Sequence, residues 1–242
     1  MSPVLTVFLY GLVTAVATGL GALPFLFLPR ISTRVVASAI ALAGGLMLGA
    51  SFGIVAEGTT YGAWQTLAGG LLGVLFILAT QHWLGDHDAA LGGVGAGDAR
   101  RMFLIVIVMT VHSFAEGVAV GVSFGGGATL ALAITLAIAV HNVPEGLAIS
   151  AVLRPRGKSV LACAGWSIFS SLPQPLMAVP AFLFVDAFRQ ALPYGLGFAA
   201  GAMVFMVLEE LLPEAYDQAR RPLVAIQVSL TLVAMVLFQQ YL

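Results

Sequence analysis

Charge is scarce in this sequence: only 9% of its 242 residues are charged, against about a quarter in a soluble globular domain. Neither sign prevails, with 10 Lys+Arg against 11 Asp+Glu. No net field exists to steer a polyanion, so nucleic-acid binding is excluded. Cysteine occurs once, at Cys163, which excludes a disulfide framework and a thiolate zinc site. Long polar segments are missing too. The longest, about 85–101, is a Gly-rich stretch read as a flexible loop, and it is too short to house a soluble catalytic domain. What the chain does have is apolar surface, with 60% hydrophobic residues and a mean hydropathy of +1.03. That composition describes an all-α integral membrane protein, a single membrane domain over 1–242 set in a lipid bilayer.

A membrane-crossing helix needs roughly 20 apolar residues. Eight spans are expected, near 4–28, 35–56, 63–84, 102–124, 127–153, 159–184, 191–212 and 222–241. Runs such as 102–109 do not alternate as barrel strands must, so the spans read as helices. The first span lacks a basic leader and a cleavage site, and is expected to be a retained helix. Basic residues support the count. Arg30 and Arg34, Arg100 and Arg101, Arg154, Arg156 and Lys158, and Arg220 and Arg221 fall in alternate loops, leaving only Arg189 on the other face. The positive-inside rule makes those loops cytoplasmic and puts both termini outside. Arginine makes up nine of the ten basic residues, which hints at a GC-rich genome and a bacterial inner membrane.

Within so apolar a chain the polar residues stand out. A charged side chain at mid-helix costs about 2.5–3.5 kcal/mol on insertion scales, and such residues mark functional pathways by default. His112 and Glu116 fall in span 4, His141 and Glu145 in span 5. Both pairs read His-x-x-x-Glu-Gly, and residues four apart share one helix face. A single intramembrane histidine is ordinarily a hydrogen-bonded packing residue. Two copies on consecutive spans instead offer two imidazoles and two carboxylates to one point, a full ligand set for a first-row divalent cation. Pro144 removes the helical donor of the Val140 carbonyl and is expected to kink span 5. Gly117 and Gly146 let neighbouring helices approach. Glu209 and Glu210, near the inner end of span 7, are candidate pathway or release residues. Asp86, His87 and Asp88 in the loop are a candidate metal collector, although a solvated loop is the plainer reading.

The paired motifs, with the ATGLGALPF stretch of span 1, GGLMLGASFG of span 2, SLPQPLMAVPAF of span 6 and LEELLPEA of span 7, resemble the ZIP (Zrt/Irt-like protein) family of metal-ion transporters over essentially the whole chain. The resemblance implies a 3+2+3 helix arrangement in which spans 1–3 and 6–8 form an inverted repeat around spans 4 and 5. It implies transport of divalent metal toward the cytoplasm by alternating access, with pairing as a homodimer. The metal is the transported substrate rather than a cofactor, Zn2+ first, with Fe2+, Mn2+, Cd2+ and Co2+ as other candidates. Carried over by position, His112, Glu116, His141 and Glu145 match the family's first metal site. Ser113, Asn142 and Gln174 fall, beside Glu145, where many members build a second. Here Ser113 and Gln174 stand where the family carries Asn and Glu, so a weaker second site is expected. Two other readings of the same residues are an intramembrane metalloenzyme and a proton or cation channel using the carboxylates as a relay.

Overall fold

A computed structural model of the chain describes residues 2–28, 31–90 and 97–241, with side chains over 2–28, 31–82 and 109–241. The described structure is helical throughout. Its elements are α1 (Pro3–Leu20), α2 (Thr33–Ala90), α3 (Gly97–Ser123), α4 (Ala128–Leu153), α5 (Val160–Ser170), α6 (Pro173–Ala187), α7 (Leu192–Met206), α8 (Leu212–Gln218) and α9 (Arg221–Gln240), with a π turn at Val207–Leu211. Among the described residues six helical segments are long and apolar enough to cross a membrane: Pro3–Leu26, Thr33–His82, Ala128–Arg156, Val160–Ala187, Arg189–Gln218 and Arg221–Gln240. The second is 50 residues long. An unbroken helix of that length would run about 75 Å, more than twice the roughly 30 Å hydrocarbon core. It breaks at Gly62, whose φ of 167° and ψ of 108° are extended.

Local chemistry explains most boundaries. Ser2 caps α1 by accepting from the Leu5 amide, with Pro3 at the first helical position. Ser159 caps α5 in the same way through the Ala162 amide. Expected span 6 is two helices, α5 and α6, separated at Ser171 and Leu172. Pro173 and Pro175 supply no N–H to the preceding turn, and Pro173 instead starts α6. Pro213 likewise cannot donate to the carbonyl of Glu209, and the π turn lies immediately before it. Expected span 5 is a single helix, α4, which runs from Ala128 to Leu153 with Pro144 inside it.

The helices pack in two groups. α1, α3, α4 and α5–α6 lie against one another, as do α2, α7 and α9. The groups meet where α2 touches α4 and where α3 touches α7. One apolar core runs through both, built from large buried side chains that include Met47, Ile54, Ile138, Leu196, Met203 and Met206. Small residues set the spacing. A methyl group on Gly146 of α4 would strike the Thr18 carbonyl of α1. One on Gly117 of α3 would sit 2.6 Å from the Gln174 carbonyl of α6. Direct backbone approach of this kind suits helices in lipid, where packing rather than exclusion of water drives association.

Candidate metal site

The two sequence motifs meet where α3 faces α4, and His112, Glu116 and His141 are completely buried there, with Glu145 5% exposed. Their pairing is crossed. His112 Nε2 lies 3.2 Å from Glu145 Oε1, and His141 Nε2 lies 2.7 Å from Glu116 Oε1. Each histidine therefore meets the glutamate of the other helix, not the one four residues along its own. Crossing ties α3 to α4 and gives each buried carboxylate a partner in place of water. Ligand atoms of His112, Glu116 and Glu145 all fall within 4.8 Å of one another, close enough to hold one metal ion. His141 joins this trio through Glu116. The Nδ1 atoms of both histidines are buried without a hydrogen-bond partner among the described residues.

Met47, on the first limb of α2, brings its sulfur to 3.4 Å from His112 Nε2. It is fully buried and reaches the cluster from the second helix group. Sequence reasoning missed it, because a methionine in an apolar run carries no burial penalty to single it out. The thioether is a soft donor that suits zinc better than it suits magnesium, calcium or manganese.

A chain of amides lies behind Glu116. Gln174 Nε2 donates to Glu116 Oε2 at 2.5 Å, and Asn142 Nδ2 donates to Gln174 Oε1 at 3.1 Å and to the Thr14 carbonyl at 2.9 Å. Close by, the Ser171 hydroxyl donates to Thr18 Oγ1 at 2.8 Å. Both Asn142 and Gln174 are fully buried. Ser113, the third residue expected at a second site, is buried but makes no part of this chain of hydrogen bonds.

On the Glu145 side a cavity of about 610 Å³ leads away from the cluster. Glu145, Ala148, Val152, Arg156, Glu210 and Glu214 are among the residues along it. Ile31, Pro155 and Gln218, also on its wall, place its far end beside the loops that carry Arg154, Arg156 and Lys158 and Arg220 and Arg221. Glu210 is half-buried and accepts from Gln81 Nε2 at 2.6 Å, while Glu209 is exposed. Asp86, His87 and Asp88 lie outside the residues whose side chains are described. In the other direction along α3, Phe124 packs edge-on against Tyr10 and Phe182, with ring centroids 5.2 and 5.9 Å away.

Comparison with known proteins gives this cluster its setting. The family model of the ZIP zinc transporters matches residues 65–237. The zinc transporter GufA of Myxococcus xanthus is 35% identical over 224 residues, covering 85% of this chain and 86% of that protein. The zinc transporter ZIPB of Bordetella bronchiseptica is 38% identical over 218 residues, covering 83% and 69%. A longer protein of Arabidopsis thaliana is 45% identical over 234 residues, and this chain spans 38% of its length. Zinc is the transported substrate of the family, and its members are transporters rather than enzymes, which removes the metalloenzyme reading. A multi-pass helical membrane protein with a buried His/Glu cluster, this chain belongs to the ZIP zinc transporter family.

Proposed function

We propose that the chain carries zinc toward the cytoplasm by alternating access through the cluster of His112, Glu116, His141 and Glu145. The observation that carries the reading is the crossed, buried pairing of these four residues at the head of a cavity that runs to the arginine-rich end. The protein fits eight spans. The break at Gly62 divides the 50-residue segment in two, and α3, 27 residues long, adds one more. Spans 1–3 and 6–8 then form the inverted repeat around α3 and α4. The arginine-rich loops face the cytoplasm of a bacterial cell, and both termini lie outside.

The geometry supports this sequence of events. The cation enters from the side of Tyr10, Phe124 and Phe182, whose rings pack against one another. It sheds water as the imidazoles, carboxylates and the Met47 sulfur replace its hydration shell. Each imidazole must free its Nε2 from the facing carboxylate to bind the cation. Met47 reaches the site from the second helix group, so motion of one group against the other changes the ligand set. Release follows the cavity past Glu145 to Glu210 and Glu214, with Glu209 and the loop residues Asp86, His87 and Asp88 beyond. Radioactive zinc uptake into cells expressing the chain tests the direction. Saturable accumulation that Glu145→Ala abolishes is expected; uptake at the level of empty cells, with the protein present in the membrane, contradicts transport toward the cytoplasm.

A further inference from the structure

Gln174 holds one oxygen of Glu116 on an amide nitrogen that the fold has no freedom to turn. Its carbonyl oxygen is taken by Asn142 Nδ2, and Asn142 in turn is anchored on the Thr14 carbonyl. Reversing the Gln174 amide would put oxygen against a carboxylate oxygen 2.5 Å away and nitrogen against the Asn142 nitrogen. The donor must therefore face Glu116. The backbone is fixed as well. Gln174 sits between Pro173 and Pro175, its amide donates to the Ser171 carbonyl at 3.0 Å, and its carbonyl is approached by Gly11 of α1 and Gly117 of α3. A methyl on Gly11 would lie 2.7 Å from Pro175 Cα and 3.1 Å from the Gln174 carbonyl, so α1, α3 and α6 meet at this one residue.

The consequence falls on the cargo. Glu116 has two oxygens: Oε2 is held by the Gln174 amide, and Oε1 is the one turned to the histidine side of the cluster. We propose that Gln174 is a specificity-determining positioning residue, which forces Glu116 to bind the transported cation through a single oxygen and so selects zinc over larger cations that need more oxygens. Zinc is satisfied by four ligands in a tetrahedron. Manganese, by contrast, takes an octahedral, oxygen-rich shell. Two histidine nitrogens, the Met47 sulfur, the Glu145 carboxylate and one oxygen of Glu116 meet the first requirement, and holding back the second oxygen of Glu116 leaves the site short of oxygens for the second. The inference rests on the proposed transport site and deepens it.

The test is the zinc-to-manganese preference of Gln174→Met, a near-isosteric change that removes the donor. Competition between the two metals is measured both as flux in proteoliposomes and as binding to the purified protein in detergent. A hydrogen bond to a charged group is lost, and the preference for zinc is expected to fall by about tenfold or more. Asn142→Leu, which unanchors the amide without touching Glu116, is expected to lower the same ratio by less. Equal losses for zinc and manganese, with the ratio unchanged in both measurements, overturn the proposal and leave Gln174 a packing residue. The binding measurement answers even where a variant no longer transports. A wild type that neither binds nor moves zinc would instead sink the transport reading itself.

Discussion

Buried polar groups are expensive, and the four motif residues meet that expense by facing one another across two helices. Removing one member strands its partner, so single substitutions destabilise beyond the lost contact. Glu145→Ala is accordingly expected to lower thermal stability more than the paired change His112→Ala/Glu145→Ala, as melting curves of the purified proteins would show. Met47→Leu preserves volume and costs the fold under about 1.5 kcal/mol. Weaker zinc binding with manganese binding unchanged is expected from competition titrations, because only the soft sulfur is lost. The His-x-x-x-Glu-Gly pairs were legible because charge in an apolar run is conspicuous. Their crossed partnership was not, since spacing along one helix says nothing about which neighbour a side chain reaches. Met47 was invisible for the reason that makes it useful, an apolar side chain with a soft donor atom. The role of Gln174 depends on the orientation of an amide, which no sequence pattern records.

Helices here are placed by glycines and prolines more than by propensity. Gly117 brings α6 close enough to α3 for Gln174 to reach Glu116. Gly117→Ala inserts a methyl where the neighbouring carbonyl lies 2.6 Å away. Overpacking of this kind costs about 1–3 kcal/mol, so a lower melting temperature is expected, together with a weaker zinc preference as the Gln174–Glu116 bond lengthens. Unchanged melting and unchanged selectivity would show that α6 can shift without consequence. Membrane-crossing helices were legible from hydropathy. Departures from regular helix were harder to foresee. The α5–α6 break and the π turn carrying Glu209 and Glu210 both sit beside prolines, yet Pro144 lies inside α4, between His141 and Glu145. Proline removes a donor in all three places. Whether the chain answers with a break, a widened turn or a continuing helix is decided by what packs against it.

At the scale of the molecule, two helix groups share one cluster, and the cavity reaches that cluster from the arginine-rich end. Chemical labelling can read this directly because the native Cys163 is fully buried. Ala148→Cys on the cavity wall is expected to react with a membrane-impermeant thiol reagent from the side of the arginine-rich loops and not from the other. Labelling from the opposite side alone would contradict the proposed orientation. The central claim is that the buried His/Glu cluster is where zinc is carried. It is tested most directly by zinc influx into proteoliposomes holding a trapped zinc-sensitive dye, comparing the wild type with His112→Ala/Glu145→Ala. Both partners of one pair are removed there, so no unpaired buried charge confounds the result. Saturable zinc flux in the wild type that the folded double variant loses is the predicted result. Flux that persists in the double variant, or that rises without saturation at channel-like rates, would contradict it.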